Sequence, residues 1–104
     1  MQLKQVEYPR GNEKTINGQK LIFAPLPLGA LEKYQKDLEA SSVPIAVIID
    51  VAHISLKRNY PDIKREYVAD ELLDIANMSE VLQIVIATSG LKHEGEKPED
   101  VAGE

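Results

Sequence analysis

The sequence predicts a mainly α fold: a small bundle of about four helices preceded by an N-terminal β-hairpin and followed by a disordered acidic tail. Three observations carry this. Asn17-Gly18 sits between two short runs, Lys14-Thr15-Ile16 and Gln19-Lys20-Leu21-Ile22-Phe23. From Leu28 onward apolar residues recur at three- and four-residue spacing, the period of a helix face. Residues that start or stop helices flank these stretches.

The hairpin is predicted over about 13–24, because Asn-Gly supplies the two positive-φ residues a type I′ turn requires. A lone hairpin is marginal in water, so its apolar face is expected to lie on the helices. Gln2–Val6 reads as a further short strand. Pro25 and Pro27 end the second hairpin strand, since proline cannot donate to a ladder. Pro27 suits the first turn of helix 1, predicted over about 27–40, with Leu28, Leu31, Tyr34, Gln35 and Leu38 on the buried face.

Helix 2 is predicted over about 43–58 and is expected to be central and most buried, capped by Ser42 with Pro44 in its first turn. Ile45, Ile48, Ile49, Ala52 and Leu56 form its stripe, which Val47, Val51 and Ile54 widen. Its β-branched richness resembles a strand. Asp50, His53 and Lys57, recurring at i, i+3 and i+7, mark a polar helical stripe instead. Asn59-Tyr60-Pro61-Asp62 forms a turn, because the residue before a proline disfavours helix. Helix 3 is expected over about 63–76 with Val68, Leu72, Ile75 and Ala76 inward. Helix 4 covers about 78–89. For helix 4 a capping box is expected from Asn77 and Glu80, a staple from Ala76 and Val81, and a Schellman ending at Gly90 with Leu91 folded back on Ile86.

At 104 residues the chain suffices for one domain, placed at 1–91, with 92–104 as the tail. Seventeen acidic and 12 basic residues give a net charge of −5. From Lys92 onward five acids stand against two lysines, so the acidity belongs largely to the tail. A general nucleic-acid binder needs a basic surface to displace counterions, which argues against that class. The absence of cysteine excludes a thiolate nucleophile, a thiolate zinc site and a disulfide framework, and fits a reducing compartment. No signal-like apolar stretch opens the sequence, and Val43–Ile49 is far too short to span a bilayer, so a soluble protein is expected.

No catalytic, cofactor or metal site is read from the residues. His53 and Asp50 suggest an acid–base or ligand pair, but no His-Glu-x-x-His spacing accompanies them, and a partly exposed helix face explains both. Ser41, Ser42, Ser79 and Ser89 fall at helix ends, where serine caps or terminates helices, and none lies in a nucleophile elbow. Lys57, Arg58, Lys64 and Arg65 bracket a turn that imitates a helix-turn-helix. The helix that would read DNA carries Glu66, Asp70, Glu71 and Asp74, which phosphates would repel.

Taken together, certain segments form a pattern. They are Leu21-Ile22-Phe23-Ala24-Pro25-Leu26-Pro27-Leu28-Gly29-Ala30-Leu31, then a β-branched helix ending Lys57-Arg58-Asn59-Tyr60-Pro61-Asp62. Leu72-Leu73-Asp74-Ile75-Ala76-Asn77-Met78 follows, then Glu80-Val81-Leu82-Gln83 and a closing Ser89-Gly90-Leu91. Over about residues 15–91 this resembles the tail assembly chaperones of long-tailed bacteriophages, including Mu-like phages and prophages. One departure is Lys64, where a Thr helix cap is usual.

The resemblance implies a non-enzymatic protein in the cytoplasm of a bacterial host. It would bind the tape measure protein, keep it soluble and help tail-tube subunits polymerise around it. It further implies association with tail-tube subunits and with a longer, frameshifted form of the same chain, of which this would be the short form. Two alternatives from other classes remain: a structural minor tail protein retained in the virion, and a small helix-turn-helix DNA-binding regulator. A helical partner laid in an apolar groove is the contact expected of a chaperone. The sequence assigns no residues to partner binding, because buried and exposed parts of an apolar stripe read alike.

Overall fold

The structure, a computed structural model, describes residues 3–91. A two-stranded antiparallel hairpin is followed by four helices, in the order the sequence predicts. The expected disordered tail at 92–104 lies outside the described residues.

Strands β1 (Asn12–Ile16) and β2 (Gln19–Phe23) meet across Asn17-Gly18, with Ile16 opposite Gln19. Asn17 has φ 53° and Gly18 φ 79°, as a type I′ turn demands. Strand alternation puts Ile16, Leu21 and Phe23 on one face, and all three are buried. Residues 3–6 form no strand; the Val6 N–H instead donates to the Asn59 carbonyl at 2.8 Å.

Helix α1 spans Leu28–Glu39 and α2 spans Ile45–Lys57. Each begins one residue after a proline that takes the N-cap position, rather than with a proline inside its first turn. Pro27 and Pro44 pair a proline φ with extended ψ, and their carbonyls accept the first helical bonds, from Ala30 and Leu31 and from Val47 and Ile48. Neither cap uses a side chain, so Ser42 does not cap α2. The buried face of α1 is Ala30, Tyr34 and Leu38. Leu28 is 81% exposed and Gln35 is exposed, a rotation of the stripe from the expected one.

Helix α2 is central: it packs on α1, β2, the third helix and the fourth. Val51, Ala52, Ser55 and Leu56 are fully enclosed. Burying each large aliphatic side chain in this way stabilises the fold by about 1.5–3 kcal/mol. Helix α4 (Met78–Thr88) supplies Val81, Leu82, Val85 and Ile86 to the same core. It ends as predicted: Gly90 has φ 79°, its N–H reaches the Ala87 carbonyl, and the Leu91 N–H reaches the Ile86 carbonyl at 3.0 Å. These are the paired bonds of a Schellman motif.

Helix 3 departs most from expectation. In place of a regular helix over 63–76, α3 covers only Arg65–Tyr67 and runs into a π-turn, Val68–Leu72. Lys64 holds its N-cap position without a side-chain bond. Val68 and Leu72 are buried as expected, but Ile75 and Ala76 are exposed.

Candidate protein-binding surface

The early end of helix 3 builds the feature of most interest. In the π-turn the Leu73 N–H bonds the Val68 carbonyl at 2.9 Å, five residues back, and Leu73 then turns extended. The next four residues are held by a reciprocal pair. The Asp74 N–H donates to Asn77 Oδ1, and the Asn77 N–H donates to Asp74 Oδ1, both at 2.9 Å. Short polar side chains that capture backbone N–H groups in this way compete with helix, which is why the helical spacing of Ile75 and Ala76 does not express itself.

Asn77 does sit at the N-cap position of α4, and its carbonyl accepts the Val81 N–H at 3.0 Å, but its side chain makes no capping bond to that helix. Its Nδ2 donates to the Leu72 carbonyl at 3.0 Å, and Asn17 Nδ2 donates to the same carbonyl at 2.9 Å. The hairpin tip and the 74–77 turn thus share the acceptor that the helix end leaves open. Glu80 does not reach back as a capping box; it pairs with Lys14 at 2.6 Å. With Ala76 exposed, the expected staple to Val81 is not built.

This turn pushes Ile75 into solvent, 85% exposed, facing the N-terminal half of α2, where Ile45 is 60% exposed. Between them lies a groove of about 170 Å³, floored by Ile48 and walled by Ile49, Ala69, Leu73 and Met78. Apolar cavities of about 150 Å³ accept a benzene-sized group, so there is room for one anchoring side chain of a partner. The single carboxylate in the wall, Asp74, is engaged by Asn77. Chemically, the groove offers apolar burial. A second, more open hollow of about 490 Å³ lies along α1 between Leu28, Leu31 and Leu91, with polar Glu32 and Gln35.

Comparison with family models, curated proteins and solved structures finds no match to this chain.

The other residues singled out in the sequence have local partners. Asp50 and His53 are not brought together as a pair. Asp50 accepts from the Tyr34 hydroxyl at 2.9 Å and from Arg65 Nε at 2.6 Å. His53 Nε2 lies 3.1 Å from the Ile63 carbonyl. Burial pushes the Asp50 carboxyl up, but the hydrogen bonds from Arg65 and Tyr34 with the Arg65 charge outweigh it and hold the group below its ordinary value. Tyr34 is raised by burial, and further by its bond to Asp50. Among the described residues, no group of three or more His, Asp or Glu side chains is placed to hold a metal.

Ser41 and Ser42 are exposed before α2, and Ser79 is exposed in the first turn of α4. Ser89 Oγ accepts the Leu26 N–H at 2.9 Å, tying the end of α4 to the strand exit. Of the basic quartet, Arg58 donates to the Pro25 carbonyl and Arg65 holds Asp50, while Lys57 and Lys64 are exposed. Two polar residues that the sequence reading gave no individual role are buried at the centre. Ser55 Oγ donates to the Ala24 carbonyl at 2.7 Å. Asn59 Nδ2 donates to the Arg10 carbonyl, ahead of β1, and to the Ile22 carbonyl in β2, each at 2.8 Å. Among the described residues, no helix is long and apolar enough to cross a membrane.

Proposed function

We propose that this chain is a tail assembly chaperone of a long-tailed phage or prophage, acting without catalysis to bind the tape measure protein and assist tail-tube assembly around it. The observation that carries the reading is the groove between α2 and the 73–78 segment. Single exposed apolar side chains are ordinary, but here two isoleucines stand at the lips of one apolar hollow. A tape measure protein is long and helical, with apolar stripes that aggregate unless covered. A groove of this kind covers such a stripe one anchor at a time.

The groove draws on a segment that also carries the resemblance. Leu72-Leu73-Asp74-Ile75-Ala76-Asn77-Met78, one of the segments that carries it, supplies Leu73, Asp74, Ile75 and Met78 to the groove. π-turns are frequent at functional sites, and the one at Val68–Leu72 contributes Ala69 to this wall. The DNA-regulator reading draws less support, because Glu66, Asp70 and Glu71 are exposed on the segment that would approach phosphates.

Co-expression of the full chain with the tape measure protein of its own phage or prophage tests the proposal. The tape measure protein should move to the soluble fraction and co-purify. If it stays insoluble and unbound, the chaperone reading fails. Finding the chain in purified particles would favour a retained tail component instead.

A further inference from the structure

The hairpin is a sheet of two strands, so it has two outer edges, and only one of them is covered. Ile16 and Gln19 close the two-residue turn as a hydrogen-bonded pair, and Lys14–Leu21 and Asn12–Phe23 repeat that pairing at every second position. The backbone groups of Glu13 and Thr15 on β1, and of Lys20 and Ile22 on β2, therefore point away from the ladder. On the β2 side the chain caps its own edge. The Ile22 N–H donates to the Tyr60 hydroxyl at 2.9 Å, and the Ile22 carbonyl accepts from Asn59 Nδ2 at 2.8 Å. On the β1 side, among the described residues, nothing outside the hairpin bonds the N–H or carbonyl of Glu13 or Thr15, and both residues are exposed. Open edge groups of this kind are a template for another strand.

We infer that β1 pairs with β1 of a second copy in an antiparallel two-fold contact centred on Lys14, joining two hairpins into one four-stranded sheet. The spacing is self-complementary. With the axis at Lys14, Glu13 of each copy lies opposite Thr15 of the other, and their N–H and carbonyl groups exchange four hydrogen bonds. The Thr15 hydroxyl can also donate to the opposite Glu13 carboxylate on the exposed face. Moving the axis to Glu13 would set two carboxylates against each other. Moving it to Thr15 would run Glu13 against Asn17, in the positive-φ turn.

Lysine on an edge strand usually guards against such pairing. Here Lys14 is turned onto α4, where its Nζ lies 2.6 Å from Glu80. The two lysines that meet at the axis each bring their own carboxylate, so the four charges sum to zero. Asn12 Nδ2 donates to Thr88 Oγ1 further along the same helix, and half-buried Ile84 lies midway on the Glu80–Thr88 stripe. A strand added beside β1 extends the sheet along that flank of α4. The contact uses none of the residues that line the α2 groove, so it stands or falls separately from the proposed function.

Four backbone bonds and one helix flank make a small interface, so the dimer should be weak. Sedimentation equilibrium of the full-length chain should give a mass near the monomer at about 10 μM, rising toward twice that by about 1 mM. Thr15→Pro removes an edge N–H and no bond of the hairpin ladder, and should hold the chain monomeric. Glu80→Gln should weaken the dimer by roughly two- to fivefold, because lysine then faces lysine without its carboxylate. Adding Lys14→Gln to that variant should recover the loss.

The sequence has no cysteine, so a lone Lys14→Cys reports the register. Directly opposed residues of a non-hydrogen-bonded pair lie about 4.5 Å apart at Cα, within disulfide reach. Mild oxidation should cross-link Lys14→Cys into covalent dimers and leave Lys20→Cys, exposed on β2, largely monomeric. If Thr15→Pro does not fold, this comparison alone decides. A chain that stays monomeric at about 1 mM overturns the inference. So does a dimer that folded Thr15→Pro leaves intact, or Lys14→Cys cross-linking no faster than Lys20→Cys. A dimer that Ile75→Asn dissociates also overturns it, because the α2 groove would then be the contact.

Discussion

Asn59 grips Arg10 in both directions: its Oδ1 accepts the Arg10 N–H at 3.0 Å, and its Nδ2 donates to the Arg10 carbonyl at 2.8 Å. The same Nδ2 donates to the Ile22 carbonyl at 2.8 Å, and the Asn59 carbonyl takes the Val6 N–H. One buried amide at the end of α2 therefore anchors both the N-terminal segment and β2. Asn59→Ala leaves the Arg10 N–H and two carbonyls short of partners in a part-buried setting. It should cost about 2–3 kcal/mol in denaturant melts. A melt within error of wild type would show that water replaces the amide at no cost.

Two glycines with positive φ should respond very differently to the same substitution. Gly90 has φ 79° with open space where a Cβ would stand, so Gly90→Ala meets only the left-handed backbone penalty, about 1 kcal/mol. At Gly11, φ 112°, an added Cβ would lie 1.8 Å from the Phe23 carbonyl oxygen. Gly11→Ala must therefore shift the loop against β2, and its loss should clearly exceed that of Gly90→Ala. Paired melts of the two variants check the order, and equal losses would contradict the close approach at Gly11.

Asn77→Ala should destabilise by about 1 kcal/mol, because it removes the bonds to the Asp74 N–H and the Leu72 carbonyl rather than a cap on α4. The two mechanisms separate in a double-mutant cycle. If Asp74 and Asn77 act as a reciprocal unit, the losses from Asp74→Ala and Asn77→Ala fall short of additivity. Additive losses would indicate independent roles.

The acid dependence of stability should report Asp50. Its carboxyl titrates below the ordinary 3.8 in the folded chain, so the unfolded state binds the proton first as pH falls. The contribution is complete above the unfolded value and is lost as pH drops through the folded one. Tyr34, raised above 10.0, gives the opposite limb: its contribution is lost as pH climbs beyond that value. Asp50→Asn should flatten the acid limb of the stability profile, measured as the difference from wild type at each pH. An unchanged limb would mean that Arg65 and Tyr34 do not favour the charged form.

These cases show why the sequence revealed some elements and not others. The hairpin turn and the Gly90 ending depend on φ > 0, which few residues tolerate, so Asn17-Gly18 and Ser89-Gly90-Leu91 announce themselves. The core of α2 was legible because its period is long and repeated. Helix 3 failed where local polar chemistry overrode periodicity: Ile75 keeps helical spacing, yet Asp74 and Asn77 take the backbone N–H groups first. That override is what exposes the groove, so the candidate site arose where pattern reading was weakest. Asn59 and Ser55 were hidden for another reason. Their partners are 31 to 49 residues distant, and no local spacing encodes such contacts.

The groove itself yields a prediction that separates stability from binding. Ile45 and Ile75 are 60% and 85% exposed, so converting them to polar residues removes little buried apolar area. Surface changes of this sort usually stay within about 0.5 kcal/mol. Ile45→Asn with Ile75→Asn should therefore melt like wild type while losing the ability to keep the tape measure protein soluble on co-expression. Leu28→Asn provides the comparison: at 81% exposed it alters the other hollow, on α1, and should leave solubilisation intact. If the double variant still solubilises its partner and Leu28→Asn does not, the binding surface lies along α1 and the assignment to the α2 groove is wrong. If neither change matters, apolar contact at these positions does not drive binding.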